Sequence, residues 1–297
     1  MTTVHIENLH KAFGNKELFR GLDLTFREHQ VVGLIGLNGS GKTTLLRHLT
    51  GMYLPDKGQI QVFGCPTKDL GQRELARIGV VHQENRFLEW MTIQQQIRYV
   101  SGFYEAWDPA LEYKLMTDFR LKPEAKVGAL SPGDVQKLAV LLAVCHKPEF
   151  LILDEPASAM DPLSRRKFLE LLFSLMEHQF KTVVVSSHVL TDIEKLVNHI
   201  VCLKDGQLCL DLGLDELYER FEEWIVSSRE GRLPDQFHDR AIIHQQGDRH
   251  QMRLRLDRNL GGDLIEQPGT LTEQGFSVRR EALNLEKIFP ILIGEAS

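Results

Sequence analysis

The sequence has few of the features that mark secreted, membrane-spanning or nucleic-acid-binding proteins. Its 297 residues include four cysteines and no CxxC pair, which argues against a disulfide framework or a cysteine-rich metal site. Its apolar runs, such as Val31–Leu37, are far shorter than the ~20 residues of a membrane-spanning helix. Residues 1–10 lack the basic and apolar segments of a secretory signal. The formal charge of −6, from 35 basic and 41 acidic residues, gives no support to wholesale nucleic-acid binding.

Three short and mainly apolar runs predict strands that are buried on both faces, namely Val31–Ile35, Phe150–Leu153 and Thr182–Val185. Such strands lie inside a sheet that is covered by helices, and these sheets are usually parallel. An amphipathic helix starts between the second and third runs, with Asp161 as its N-cap and Pro162 at the first helical position. This alternation of strand and helix predicts βαβ units and an α/β fold.

The first part of the chain also contains a segment of strands and a segment of helices. Residues 1–30 read as strands and turns, since apolar residues alternate with polar ones. Residues 84–146 are mainly helical, and Trp90, Ile93 and Ile97 form an apolar stripe there. We therefore expect one domain over residues 1–212, with a helical subdomain at about 84–146.

The composition changes at about Gly213, where a second domain is expected. Its strand candidates are Trp224–Ser227, Ala241–His244 and Met252–Leu256, and a final helix is expected near Leu285–Leu292. Residues 213–297 are therefore predicted to form a small α+β accessory domain.

A glycine-rich loop between an apolar strand and a helix-like run carries the strongest signal. The segment Gly36–Thr43 fits the spacing GxxxxGKS/T, in the strand–loop–helix context that this motif requires. Glycines let successive backbone N–H groups turn towards phosphate oxygens, and the helix N-terminus adds the positive end of its dipole. Lys42 can reach the terminal phosphates, and the Thr43 hydroxyl is placed to bind Mg²⁺. The predicted nucleotide-binding residues are Gly36, Asn38, Gly39, Ser40, Gly41, Lys42, Thr43 and Thr44.

Two acids and a histidine follow buried strands. Asp154 and Glu155 come directly after Phe150–Leu153, and ligands of open α/β sheets bind beyond the carboxyl ends of the strands. Asp154 would face Mg²⁺, and Glu155 could polarise a water for in-line attack on the γ-phosphate. His188 follows the next strand, so we expect it at the same edge of the sheet.

Further motifs accompany the loop and the acid pair in a fixed order. Gln83 follows the strand Gly79–Val81, the run Leu130–Gly133 precedes the acid strand, and Ser158–Asp161 and His188 come after it. With these motifs the chain resembles the nucleotide-binding subunits of ABC transporters over residues 1 to about 212. The resemblance implies a P-loop NTPase fold with an ABC-type helical subdomain and an antiparallel N-terminal β-subdomain.

The resemblance also implies roles for the residues around the nucleotide, with ATP and Mg²⁺ as cofactors. Phe13 lies where the family stacks an aromatic residue on adenine. Gln83 would contact Mg²⁺ or the attacking water, and it would sense a transmembrane partner through the segment Glu84–Thr92. His188 would hold the γ-phosphate and Glu155. The implied catalytic residues are Gln83, Glu155 and His188, and the implied metal ligands are Thr43, Gln83 and Asp154.

A dimer and a membrane partner follow from the same resemblance. Ser131 and Gly133 would reach the γ-phosphate bound by the other ATPase subunit, and Asp161 would communicate between the two sites. The implied partners are a transmembrane permease subunit and either a second copy of the chain or a second ATPase subunit, with no nucleic acid expected. The protein would then be cytoplasmic and peripheral on the inner face of the cell membrane.

One motif departs from the family, because the usual signature LSGGQ is replaced by LSPGD at Leu130–Asp134. Pro132 removes a backbone N–H donor, and Asp134 adds negative charge near a helix end that should attract a phosphate. The loss of about 1 kcal/mol would weaken the contact with the partner's ATP. The alternative interpretation is helix capping, with Ser131 as N-cap and Asp134 turned away from the nucleotide.

These motifs are compatible with three functions. The first is an ATPase that drives a separate membrane subunit, and the similarity of Asn284–Phe289 to the tail of multidrug and antibiotic exporters favours export. The alternative is a non-transport ABC ATPase that acts in translation or on DNA. Such proteins usually carry a second ATPase unit, a long coiled-coil insertion or zinc-binding cysteines, and the sequence has none of these. A catalytically inactive nucleotide sensor is disfavoured, because Lys42, Asp154, Glu155 and His188 are all present.

Overall fold

The computed structural model describes residues 1–179, 182–228, 231–267 and 269–294. The chain folds as two units, Met1–Leu208 and Cys209–Ser297. Among the described residues, no helix combines the length and the apolar character needed to span a bilayer.

The first unit contains strands and helices in alternation. Its strands, the last of which runs past the end of the unit, are β1 (Thr2–Phe13), β2 (Lys16–Arg27), β3 (Val31–Gly36), β4 (Lys57–Val62), β5 (Cys65–Pro66), β6 (Ile78–Val81), β7 (Phe150–Asp154), β8 (Thr182–Ser186), β9 (His199–Lys204) and β10 (Gln207–Gly213). Its helices are α1 (Lys42–Leu49), α2 (Gln72–Leu75), α3 (Ile93–Ser101), α4 (Pro109–Asp118), α5 (Pro132–Val144), α6 (Pro162–Gln179) and α7 (Leu190–Glu194).

A six-stranded sheet with the order β10-β9-β3-β8-β7-β6 forms the centre of this unit. β3 pairs in parallel with β8 on one side and with β9 on the other, and β6, β7 and β8 are parallel to one another. The strands β7 and β8 are buried along their whole length, which explains their nearly continuous apolar sequences. The predicted α/β sheet is therefore confirmed, and it brings the ends of β3, β6, β7 and β8 to one edge.

An antiparallel sheet with the order β2-β1-β4-β5 is formed by strands that lie before and after β3 in the chain. β1 pairs antiparallel with both β2 and β4, as the resemblance implied. Phe19 and Phe26 of β2 are fully buried and share one apolar core with residues of β3, such as Val32 and Leu34. This common core joins the two sheets of the unit.

The helical segment between β6 and β7 begins later than the apolar stripe suggests. Thr92 is the N-cap of α3, where its side chain accepts a hydrogen bond from the Gln95 N–H and the Gln95 side chain accepts one from the Thr92 N–H. Trp90 was expected on the same helical stripe as Ile93 and Ile97, but it lies in the preceding loop and is 67% exposed. The capping box ends the loop at Thr92, and so it separates Trp90 from the buried face of α3.

The second unit is built on another antiparallel sheet, with the order β12-β13-β11-β14. Its elements are α8 (Leu214–Arg220), β11 (Phe221–Ser228), β12 (Ile242–Gly247), β13 (Gln251–Asp257), α9 (Asp263–Glu266), α10 (Thr270–Glu273), β14 (Phe276–Ala282) and α11 (Leu285–Leu292). Trp224 and Val226 lie at the centre of its apolar core. The sequence patterns found β11, β12, β13 and α11. They did not include β14 among the strand candidates, because its exposed polar residues hide the alternation.

A buried charged cluster lies within the second unit. Glu223 is fully buried, and its carboxylate accepts hydrogen bonds from Arg255 at 3.2 Å and from Lys287 at 2.9 Å. Burial alone would raise the pKa of Glu223, but the two cations outweigh it and lower this pKa. Arg255 on β13 thus neutralises a buried carboxylate. The cluster ties α11 to β11 and β13.

Candidate functional site

The loops that leave the carboxyl ends of the parallel strands surround an open cleft of about 450 Å³. Such an edge is where ligands bind in open α/β sheets. The cleft is lined by Leu18, Asn38, Gly39, Gly41, Lys42, Thr43, Thr44, Gln83, Glu155 and His188.

The glycines of the loop between β3 and α1 adopt conformations that other residues avoid. Gly36, Gly39 and Gly41 have φ values of 152°, 79° and 107°. A Cβ atom on Gly36 would lie 2.4 Å from the Leu203 carbonyl oxygen, and one on Gly41 would lie 2.8 Å from the Phe19 ring. Close packing and positive φ angles therefore both require glycine, and the loop curls tightly into the N-terminus of α1.

Lys42 is the first residue of α1 and is largely buried. Its ammonium group donates hydrogen bonds to the carbonyl oxygens of Gly36 at 2.8 Å and Leu37 at 3.2 Å. Burial lowers the pKa of Lys42, while the nearby carboxylates of Glu155 and Asp154 oppose this shift. The loop thus holds the Lys42 side chain across the concave face of the loop. A charged ammonium group at this position attracts a bound anion.

Two features of this loop fit a polyphosphate. The Ser40 hydroxyl is buried and has no hydrogen-bond partner among the residues that the structure describes. Its oxygen would lie 2.6 Å from a Cβ atom on Gly36, so only glycine leaves room around this hydroxyl. A buried polar group without a partner is costly, and a bound phosphate oxygen would satisfy it. The loop residues therefore fit a nucleotide phosphate chain.

Asp154 connects the loop to the neighbouring strands at the end of β7. Its Oδ1 accepts hydrogen bonds from the Thr43 hydroxyl at 3.2 Å and from the Ser186 hydroxyl at 2.7 Å. Hydroxyl and carboxylate oxygens are the ligands that Mg²⁺ prefers, and Mg²⁺ is usually held by one or two carboxylates together with substrate phosphates. Thr43 and Asp154 therefore fit a magnesium ion next to the phosphate loop.

Glu155 and His188 form a close pair in the cleft. The His188 Nδ1 lies 2.7 Å from the Glu155 Oε2, and because a carboxylate only accepts, Nδ1 carries the proton. Glu155 has a φ of 51°, a left-handed conformation that is uncommon outside glycine. Its N–H donates to the carbonyl oxygen and the hydroxyl of Ser186, which hold this conformation. A buried carboxylate is thus directed into the cleft by a strained backbone.

Gln83 and Phe13 occupy different positions relative to the cleft. Gln83 follows β6 and lines the cleft together with Glu155 and Thr43. Phe13 ends β1 and is 45% exposed, and its ring packs edge-on against Tyr53 at a centroid distance of 5.5 Å. Phe13 does not line the cleft, so its stacking on adenine stays a prediction.

The start of α5 shows the capping geometry that the altered signature predicts. The Ser131 hydroxyl accepts a hydrogen bond from the Asp134 N–H at 3.2 Å and donates one to the Asp134 carboxylate at 2.7 Å. Lys137 donates to the same carboxylate at 2.7 Å. Burial would raise the pKa of Asp134, but the hydrogen bonds from Lys137 and Ser131 lower it overall. The Ser131 hydroxyl is therefore engaged by its own helix.

Two further predicted residues lie next to this helix start. Gly133 lies close to the segment before α6, where an added Cβ atom would be 3.6 Å from Met160 and 3.9 Å from the Ala159 carbonyl oxygen. The Asp161 side chain accepts hydrogen bonds from the N–H groups of Leu163 and Ser164, so Asp161 caps α6 as the sequence suggests. Neither residue lines the cleft of this chain.

The structure thus brings most of the predicted cleft residues together and adds others. Ser186 was missed, although its hydroxyl contacts both Asp154 and the Glu155 N–H. Its position at the end of β8, two residues before His188, is a signal that could have found it. Leu18 was also missed, because no local pattern places residues of β2 next to the loop.

Comparison with known proteins adds independent information. The family described as "ABC transporter" matches residues 19–158. The bacitracin transport ATP-binding protein BcrA of Bacillus licheniformis is 30% identical over 261 residues, which cover 86% of this chain and 83% of BcrA. The uncharacterized ABC transporter ATP-binding protein YxlF of Bacillus subtilis (strain 168) is 31% identical over 293 residues, which cover 94% of this chain and 96% of YxlF.

A solved structure shows the same fold. A dimeric structure of the ATP-binding cassette MJ0796, in a post-hydrolysis state bound to ADP and Pi, aligns with a TM-score of 0.63 and 25% identity. The alignment covers 71% of this chain and 98% of that chain. The part of the chain that contains the cleft therefore has the architecture of an ATP-binding cassette.

Proposed function

This chain belongs to the ATP-binding proteins of ABC transporters, and from that premise we propose that Glu155 and His188 hydrolyse ATP held by the loop Gly36–Thr43. It is an ATP-binding and ATP-hydrolysing subunit of a transporter. The observation that carries the residue assignment is the pair Glu155–His188, 2.7 Å apart, in the same cleft as Lys42 and Thr43.

The loop would bind the phosphates through a set of donors. The backbone N–H groups of Asn38, Gly39 and Gly41 and the Lys42 ammonium group, all from residues that line the cleft, would supply this set together with the buried Ser40 hydroxyl. Because they lie at the N-terminus of α1, the helix dipole adds to their attraction for anions. Thr44 lines the same cleft at the start of the helix.

Hydrolysis needs a base and a residue that orients it. The Glu155 carboxylate would accept a proton from the attacking water. Proton transfer to a positioned side chain typically raises the reaction rate about 10²–10⁴-fold. His188 Nδ1 donates to Glu155, and its Nε2 would donate to the γ-phosphate when the ring carries a proton on both nitrogens. Gln83 lines the same cleft and would orient the water.

We infer that the bound nucleotide carries Mg²⁺. Thr43, Asp154 and Gln83 would hold the ion, which when bound neutralises charge on the β- and γ-phosphates. Ser186 keeps Asp154 in place through its 2.7 Å hydrogen bond.

The helix that starts at Ser131 would act on the nucleotide of a second ATPase subunit, which is a second copy of the chain or a related subunit. In this arrangement Ser131 and Gly133 face the partner's γ-phosphate, and Asp161 lies between the two sites. Phe13, which is half-exposed, would stack on adenine. Closure and reopening of the pair would drive a transmembrane permease subunit that holds the protein at the cytoplasmic face of the membrane.

The membrane partner can be tested directly by co-purification. A neighbouring reading frame with about six apolar stretches of membrane-spanning length is the candidate partner, since each span needs ~20 residues. We expect the tagged chain to co-purify with that product from detergent-solubilised membranes. Recovery with ribosomes or DNA instead would favour the alternative function, a non-transport ABC ATPase.

The direction of transport is proposed to be export, on the similarity of the tail at Asn284–Phe289 to multidrug and antibiotic exporters. In the structure Asn284 caps α11, where its side chain accepts a hydrogen bond from the Lys287 N–H at 3.0 Å. This tail therefore folds as a helix of the second unit.

Replacing Asp134 with glutamine is expected to strengthen ATP-driven dimerisation about 5-fold. The substitution removes a negative charge near the helix start together with the carboxylate that accepts the Ser131 O–H, for a gain of about 1 kcal/mol. The measurement is the fraction of dimer against ATP concentration, by analytical ultracentrifugation, in a background that does not hydrolyse ATP.

Asp108→Asn serves as the matched control for that variant. Asp108 is also an acid at the start of a helix, where it caps α4 and pairs with Lys147 at 3.0 Å. The control should leave dimerisation unchanged. If Asp134→Gln raises neither dimerisation in that background nor the ATPase rate of the otherwise unaltered chain, the weakened contact is rejected and capping alone explains Asp134.

A further inference from the structure

A buried glutamine of α5 holds the backbone next to the cleft. Gln136 is only 2% exposed, and its Nε2 donates a hydrogen bond to the Gln83 carbonyl oxygen at 3.0 Å. Its Oε1 accepts a hydrogen bond from the Asn85 side chain at 2.8 Å. Both ends of the Gln136 amide are therefore satisfied by the segment that carries Gln83.

Asn85 extends this network to the end of β6. Its Nδ2 also donates to the His82 carbonyl oxygen at 2.6 Å, and its Oδ1 accepts from the His82 N–H at 3.2 Å. The side chains of Asn85 and Gln136 thus bind the backbone at residues 82 and 83 from two directions. A part-buried hydrogen-bond network of this kind favours one arrangement of the backbone.

Gln83 depends on this network for its position. β6 ends at Val81, so Gln83 lies beyond the regular hydrogen bonding of the strand. Gln83 lines the cleft with Thr43 and Glu155, while its backbone carbonyl oxygen accepts a hydrogen bond from Gln136 on α5. The backbone of Gln83 is therefore held by a residue that does not itself line the cleft.

We propose that Gln136 is a positioning residue that holds Gln83 in the orientation required for Mg²⁺·ATP, a role that rests on the proposed function of Gln83. Gln136 lies five residues after Ser131 along the helix α5. It therefore connects the cleft of this chain to the helix proposed to face the nucleotide of the second subunit.

The test compares two buried glutamines of the helical segment. Gln136→Met keeps the side-chain length and removes both hydrogen bonds. Gln96→Met is the matched control, since Gln96 is 3% exposed and its Oε1 accepts from the Leu88 N–H, five residues beyond Gln83. Both variants lose a buried amide, but only the first releases the backbone of Gln83.

Mg²⁺ dependence is the readout that separates positioning from structural damage. For Gln136→Met we expect the Mg²⁺ concentration for half-maximal ATP hydrolysis to rise on the order of 10-fold, as for residues that orient a metal ligand. Binding of a fluorescent ATP analogue should weaken in Mg²⁺ but stay unchanged in EDTA. Gln96→Met should show the wild-type Mg²⁺ dependence in both measurements.

Gln136→Glu is the second variant, because it keeps the shape and the contact with Asn85 but replaces the donor to Gln83 with an acceptor. It should shift the Mg²⁺ dependence in the same direction. If Gln136→Met does not fold, this variant decides the outcome. A wild-type Mg²⁺ dependence in a folded Gln136 variant overturns the proposal.

Gln83→Ala separates this inference from the function on which it rests. If Gln83→Ala shifts the Mg²⁺ dependence and the Gln136 variants do not, only the positioning role fails. If Gln83→Ala itself has no effect, the proposed role of Gln83 and the positioning role both fail. When both single variants shift the dependence, the double variant should be no worse than Gln83→Ala, because Gln136 acts through Gln83.

Discussion

Replacing Glu155 with glutamine is expected to lower the ATP turnover number at least about 100-fold while ATP binding is retained. Glutamine has nearly the same shape as glutamate, and its Oε1 can still accept the hydrogen bond from His188 Nδ1. The amide cannot take a proton from water, so the variant should bind ATP and fail to release it by hydrolysis. Phosphate release and nucleotide binding by calorimetry are the two measurements.

The control for this variant is Glu170→Gln, which removes an exposed carboxylate on α6 that pairs with Arg166. A surface ion pair of this kind contributes little, so turnover should be unchanged. Near-normal hydrolysis by Glu155→Gln would remove Glu155 from its role as the base. Loss of ATP binding in the same variant would instead assign Glu155 to nucleotide binding.

Replacing Lys42 with alanine is expected to weaken ATP binding on the order of 10- to 100-fold. Hydrogen bonds to charged groups contribute about 1.5–3 kcal/mol each, and the ammonium group of Lys42 is held by Gly36 and Leu37 within the phosphate loop. Burial lowers the pKa of Lys42, and the nearby acids Glu155 and Asp154 partly offset this effect. The measurement is the dissociation constant of ATP with Mg²⁺ present.

Lys42→Met accompanies this variant, because methionine fills most of the volume that the buried lysine occupies. Both variants should lose affinity to a similar extent if the charge is the cause. A dissociation constant equal to that of the wild type would refute the assignment of the phosphate loop. The two predictions are complementary, since Glu155 is expected to affect turnover and Lys42 is expected to affect binding.

Strain at the cleft has a local physical cause. Glu155 is a non-glycine residue with a positive φ, and such a residue persists only where the surroundings hold it. Ser186 supplies this constraint through two hydrogen bonds to the Glu155 N–H. The same serine donates to Asp154, so one side chain of β8 positions both acids at the end of β7.

Much of the candidate site could be predicted because its motifs are local. The spacing of Gly36, Gly41 and Lys42 follows from the curl of one loop around a phosphate chain, and neighbouring residues are sufficient to recognise it. Asp154 and Glu155 directly follow a strand whose apolar sequence is unmistakable. The capping of α5 by Ser131 was also one of the two sequence-based interpretations, because it depends on residues three apart.

The partners of these residues could not be predicted in the same way. The bond between Gln136 and the Gln83 carbonyl oxygen joins residues 53 positions apart, and that between Asp154 and Thr43 joins residues 111 positions apart. These residues are far apart in the sequence. They meet only because α5 packs near β6 and because β7 lies two strands from β3 in the sheet. Lys137 is a related case, since its bond to Asp134 needs a specific rotamer in addition to the spacing.

The sequence by itself determined the phosphate-binding loop, the acid pair after a buried strand and the resemblance to ABC transporter subunits, because each depends on neighbouring residues. Only the tertiary structure decided that Ser186 holds Asp154 and Glu155, that Gln136 holds Gln83, and that Trp90 lies outside the helical stripe. These contacts depend on the order of strands in the sheet and on where each helix begins. Hydrogen bonds act over about 3 Å, so residues distant in sequence contribute to one site only after the packing has brought them together.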